Sequence, residues 1–324
     1  MNLFRRSIFS AAVAVTAGLL SFGMGARPAH ADGLYLALGD SYAFGYTSFA
    51  TTPPSNGDQG YVSQFATFLG QRDGGGRPTV LNLARPGETS DSFFTSTISP
   101  TTPPFNFNTN YAAGGYSQSQ SQLLASLVPG SAGVPRYITL QIGGNDLLDI
   151  IGAPGFSSLP LLQQQMQIAA GFSTLQTNYA AILTNLRTIA PSAEIYLLGY
   201  PDPFMGLDGV APTNPLFPTN PFGPLSTLLA VQTNTLIQNL AAQPAFNARY
   251  VDIYTPFVGN EKALTNITTN DITGLPNYHP NAAGYNVISQ RVIAAASAPE
   301  PGTLVLVGLG LFGGVAVVAR RRGQ

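Results

Sequence analysis

Ser41 and His279 are the residues whose types could do chemistry together. The chain holds two histidines, and His30 falls in an N-terminal segment that reads as an export signal. His279, in Asn277-Tyr278-His279-Pro280-Asn281, is then the one imidazole left for acid/base work. Imidazole is the side chain that titrates near neutral pH without perturbation. Far upstream, Gly39-Asp40-Ser41-Tyr42 places a serine straight after an apolar run. A serine hydroxyl is a weak nucleophile until a neighbouring base takes its proton. A serine and a histidine this far apart point to a hydrolase whose site forms only on folding. Two further motifs follow short apolar runs: Asn82-Leu83-Ala84-Arg85-Pro86-Gly87-Glu88 and Gln141-Ile142-Gly143-Gly144-Asn145-Asp146. Each motif taken singly has a plain structural explanation. Asp and Ser cap helices, Pro-Gly makes a turn, and a histidine can simply fill a hydrogen-bonding niche.

The elements that must position these residues alternate in type. Apolar runs at Leu34 to Leu38, Val80 to Leu83, Tyr137 to Ile142, Glu194 to Leu198 and Ala248 to Ile253 read as strands. Helical spacing is found over Tyr61 to Leu69, Ser117 to Leu127, Leu161 to Ile189, Ser226 to Ala242 and Ala282 to Ala296. Residues 97 to 116 and the proline-rich Pro201 to Pro224 read as loops. Short strands alternating with longer helices predict a parallel α/β sheet. In such sheets, sites form at the carboxyl ends of the strands. The motifs at Gly39, Ala84 and Gly143 all fall there. The loop residues Phe204, Met205, Leu207, Leu216, Phe217 and Phe222 are apolar enough either to meet an acyl chain or to pack on the core.

Composition narrows the function classes. Six of the 14 basic residues and one of the 15 acidic residues lie in the terminal segments, so residues 32 to 298 carry a net charge of about −6. That balance argues against nucleic acid or an anionic membrane surface as partner. No cysteine is present, which excludes disulfides and thiolate metal sites. One histidine makes a catalytic zinc site improbable, and no metal or cofactor is expected.

The four motifs together, in this order, resemble the SGNH (GDSL) hydrolase family over roughly Leu34 to Val292. The resemblance implies a three-layer α/β/α, flavodoxin-like fold around a mostly five-stranded parallel sheet. It implies Ser41 as nucleophile and His279 as base. It also implies an oxyanion hole built from the Ser41 and Gly87 backbone N–H groups and the Asn145 side chain. The family places an aspartate three residues before the histidine, and here that position is Pro276. Three readings stay open: a backbone carbonyl near Leu275 to Asn277 orients the imidazole, as in some family members; Asp271 reaches in from the preceding loop; or the enzyme is impaired. Asp252, at the end of the last strand, is expected to serve only local hydrogen bonding. The implied activity is carboxylic-ester hydrolysis of the esterase or lipase type. The alternatives are an exopolysaccharide acetylesterase and a non-catalytic surface or matrix protein that keeps the fold.

The two ends carry addresses. Residues 1 to 31 pair Arg5 and Arg6 with an apolar run and the small-x-small site Ala29-His30-Ala31, the pattern of a signal peptide. Residues 299 to 324 join Pro299-Glu300-Pro301, an apolar stretch over 303 to 319, and Arg320 to Arg322. This end resembles the PEP-CTERM sorting signal of Gram-negative bacteria. It implies processing by an exosortase, a transient inner-membrane anchor through residues 303 to 319, and delivery to the cell surface or beyond. Residues 32 to 298 are left as one hydrolase domain.

Overall fold

The computed structural model describes residues 33–96, 107–111, 118–127, 133–202, 223–270 and 276–298. Five strands form one sheet: β1 (Leu34–Gly39), β2 (Thr79–Asn82), β3 (Pro135–Gln141), β4 (Glu194–Leu198) and β5 (Ala248–Val251), in the order β2-β1-β3-β4-β5. Every pairing is parallel. Helices complete the order: α1 (Ser41–Phe44), α2 (Gly60–Asp73), α3 (Gln120–Leu127), α4 (Gly144–Ile151), α5 (Leu161–Ile189), α6 (Gly223–Ala241), α7 (Tyr254–Phe257), α8 (Glu261–Leu264) and α9 (Ala282–Ser297).

Alternation along each strand splits the core into two layers, because successive side chains leave a strand on opposite faces. Leu36, Leu38, Ile138, Leu140, Ile195 and Leu197 point to one face, where they pack on α3, α5 and α6. Tyr35, Ala37, Tyr137, Tyr196, Leu198 and Val251 point to the other, against α1, α2 and α9. Both faces being covered explains why the strands read as near-continuous apolar runs rather than alternating ones. The three-layer α/β/α architecture expected from the sequence is therefore present.

The strand order reverses between β1 and β3, since the chain runs from β1 outward to β2 and then returns to the other side. Outside the carboxyl ends of β1 and β3 a crevice opens at such a switch point. Closeness there depends on Gly39, whose φ is +127°. A Cβ at Gly39 would lie 1.8 Å from the Gln141 carbonyl oxygen. With no side chain in the way, the Asp40 N–H donates to that same oxygen at 3.0 Å.

Most predicted elements match within a few residues. α4 is the longest helix without a predicted counterpart. No helical stretch is predicted between Ile142 and Leu161, yet a two-turn helix runs from Gly144 to Ile151. Two adjacent glycines hide its start, because glycine is a poor helix former. The apolar loop residues between Phe204 and Phe222, Asp271, and the sorting segment with its 303–319 stretch lie outside the described residues. Among the described residues, no helix is long and apolar enough to cross a membrane.

Candidate active site

The site assembles at the crevice from four loops. Asp40 is the N-cap of α1, and its side chain accepts from the Tyr42 N–H at 3.0 Å. Ser41 is therefore the first residue of a short helix at the end of β1, and it is buried. The second oxygen of Asp40 accepts from the Tyr200 hydroxyl at 2.6 Å. Burial pushes the Asp40 carboxyl up to about 7.

His279 comes from the loop before α9. Asn281 caps that helix, accepting from the Gly284 N–H at 3.0 Å. The Asn281 amide also donates to the carbonyls of Ala263 and Thr265. His279 is thereby held between a helix start and the α8 turn, with its Nε2 3.0 Å from Ser41 Oγ. Its ring packs edge-on against Tyr46 at 4.6 Å and stacks on Tyr278 at 4.9 Å between centroids. On the other side of the ring, Nδ1 lies 2.8 Å from Asn277 Oδ1. Pro276 holds the position where the family pattern has an aspartate. Asp252 accepts from the Thr255 N–H at 3.0 Å and from Arg291 of α9.

Gly87 follows β2 in a buried turn with φ +85°, a backbone conformation L side chains rarely adopt. A fully buried ion pair underpins this turn. Arg85 faces Glu88 in a two-pronged arrangement, with both side chains at 0% exposure. Glu88 also accepts from Ser92 and, at 2.6 Å, from Gln120 Nε2. Gln120, the first residue of α3, bonds both the N–H and the C=O of Gly39 through its carboxamide. The turn carrying Gly87 is thus locked to the end of β1. Sequence reasoning missed this support; the three-residue spacing of a cation and an anion around Pro-Gly was its visible trace.

Asn145 lies on the first turn of α4, and its amide nitrogen donates to the Glu88 carbonyl at 2.8 Å. Asp146 accepts from both the N–H and the hydroxyl of Ser90. Burial pushes its carboxyl up to about 6. Each block is in this way pinned to the next, and Ser41, His279, Gly87 and Asn145 share one crevice. Beside Ser41 and Asn145 opens a solvent-connected pocket walled by Leu147, Leu148, Ile151, Leu229 and Ala230. These apolar residues come from α4 and α6, and none was singled out from the sequence. The i, i+4 spacing of Leu147 and Ile151, just after Asn145, was the available signal.

Among the described residues, no group of three or more His, Cys, Asp or Glu could hold a metal ion.

Solved structures share this architecture. A lipase from a goat rumen metagenome is 19% identical with a TM-score of 0.52, covering 81% of this chain and 97% of its own. An extracellular lipase from Streptomyces rimosus is 17% identical with a TM-score of 0.53, covering 82% of this chain and 100% of its own. Phospholipase A1 from Streptomyces albidoflavus is 21% identical with a TM-score of 0.50, covering 82% and 100%. At these identities the likeness speaks for the fold. No curated protein matches the chain in a sequence comparison. The PEP-CTERM protein-sorting motif matches residues 297–322. The GDSL-like lipase/acylhydrolase family matches residues 37–287, a span that takes in all four motifs of the crevice, and the chain therefore belongs to that family of ester hydrolases.

Proposed function

We propose that this protein is an exported carboxylic-ester hydrolase that works through an acyl-serine intermediate on Ser41. The observation that carries the reading is the 3.0 Å approach of His279 Nε2 to Ser41 Oγ. In the first half-reaction His279 takes the Ser41 proton as Oγ attacks the ester carbonyl. The tetrahedral oxyanion is met by the Ser41 and Gly87 N–H groups and by the Asn145 carboxamide. Such donors, aimed where charge develops, are each worth about 100- to 1000-fold in rate. Collapse breaks the bond to the alcohol, which leaves with the proton from His279. Water then attacks the acyl carbon as His279 takes its proton, and collapse breaks the acyl–Oγ bond, releasing the acid while His279 returns that proton to Ser41 Oγ.

The apolar pocket beside Ser41 suits an acyl chain longer than acetyl. The sorting motif supports export to the surface of a Gram-negative bacterium, with an exosortase as processing partner. That setting also keeps open a second reading, a deacetylase of surface polysaccharide. Hydrolysis of p-nitrophenyl acetate, butyrate and palmitate, with Ser41→Ala alongside, tests both. Serine-dependent turnover that rises with chain length supports the acyl pocket. Turnover confined to acetate supports the second reading. Full activity of Ser41→Ala overturns the mechanism.

A further inference from the structure

We propose that Asn277 is the positioning residue for His279, acting through its side-chain carboxamide in the place where a triad carboxylate would stand. The proposal rests on the Ser41–His279 reading. Asn277 is buried, with 1% exposure. Its Oδ1 is 2.8 Å from His279 Nδ1 and accepts the His279 backbone N–H at 3.1 Å. Its Nδ2 donates to the Thr47 carbonyl at 2.8 Å.

These partners fix which way the carboxamide points. A backbone N–H can only donate and a backbone C=O can only accept. Oδ1 must therefore face the histidine and the amide nitrogen must face Thr47. An acceptor at Oδ1 requires the proton on Nδ1. Nε2 is then the bare nitrogen, and it is the one that meets Ser41 Oγ. One amide orientation thus selects the tautomer that can take the serine proton. Thr47 lies just beyond α1, so the same side chain ties the histidine loop to the nucleophile's own segment. Asn266 reinforces that tie, donating to the carbonyls of Thr47 and His279.

A carboxamide orients without charge. An aspartate would in addition stabilise the imidazolium. Among the described residues, the aromatic rings packed on the imidazole are Tyr42 and Tyr46 from the segment after β1 and Tyr278 from its own loop. The nearest carboxylate along the nucleophile segment is Asp40, the N-cap of α1, and Asp271 lies outside the described residues.

The test compares Asn277→Ala, Asn277→Asp and Asp271→Asn in the full chain, with melting temperatures and pH profiles of kcat/KM on p-nitrophenyl butyrate. Asn277→Ala should lose about 100-fold or more in kcat with little change in KM, within the range general-base catalysis supplies. Asn277→Asp should stay active and move the acid limb of the profile up by about one pH unit or more, as an opposite charge at this distance does. Asp271→Asn should stay within about threefold of wild type, well short of the range expected for a lost general base. Long-range 1H–15N NMR should show the His279 proton on Nδ1, a readout independent of turnover. A folded Asn277→Ala near wild-type kcat, or an unmoved acid limb in Asn277→Asp, overturns the proposal. A proton found on Nε2 does so as well, as does a loss in Asp271→Asn as deep as that in Asn277→Ala. Retained turnover in Ser41→Ala would instead sink the underlying mechanism, so the two failures are distinguishable.

Discussion

Glu88→Gln should strike stability and turnover together. Glu88 is fully buried and accepts from Arg85, Ser92 and Gln120. Glutamine keeps one acceptor oxygen and turns the other into a donor, pointed at groups that are themselves donors. It also removes the buried carboxylate facing the Arg85 guanidinium. Removing one partner of a buried pair costs about 3–5 kcal/mol. For a domain near this size each 1 kcal/mol moves Tm by roughly 2–4 °C, so the melt should fall by about 6–20 °C. Turnover should fall too, because Gly87 adjoins Glu88 and Asn145 donates to the Glu88 carbonyl. Urea unfolding measures the first effect and p-nitrophenyl butyrate hydrolysis the second. A cycle of Arg85→Met, Glu88→Leu and the double variant isolates the coupling. The double should cost well below the sum of the singles, since an apolar pair can replace a buried ion pair at small net cost. Loss of less than about 1 kcal/mol in Glu88→Gln, or singles that add within about 0.5 kcal/mol, would refute the reasoning.

Three other perturbations follow from the same geometry. Burial raises Asp40 to about 7 and Asp146 to about 6, so the folded state binds more protons than the unfolded state between pH 4 and those values. Stability should therefore fall as pH rises through this window, by up to about 1.4 kcal/mol per pH unit for each group; urea titrations should show a shallower fall in Asp40→Asn, and an unchanged slope would count against this account. Gly39→Ala drives a Cβ to 1.8 Å from the Gln141 oxygen at φ +127°, and circular dichroism and Tm should report a protein that is unfolded or severely destabilised. Ala230→Phe fills the apolar pocket, and its kcat/KM should drop for long-chain esters while acetate is spared; an unchanged chain-length profile would place the acyl chain elsewhere.

The strands, five of the helices and the four motifs were legible in the sequence because each rests on local information. Apolar runs ending in glycine mark buried parallel strands, and the long helix Leu161–Ile189 shows its period openly. Ser41, Gly87, Asn145 and His279 stood out as candidates from motif order and family resemblance, since a backbone turn and a side-chain type are both local properties. The switch between β1 and β3 brings them to one crevice. What orients His279 was not legible. Pro276 hid the expected acid, and the three readings weighed from sequence did not include an amide side chain. The carboxamide of Asn277 became visible only through its partners, one of them Thr47 on the distant nucleophile segment. The buried Arg85–Glu88–Gln120 support and the pocket wall from α4 and α6 escaped for the same reason. A sequence determines residue type and period, but hydrogen-bond partners and pocket walls depend on which side chains the sheet order sets facing one another.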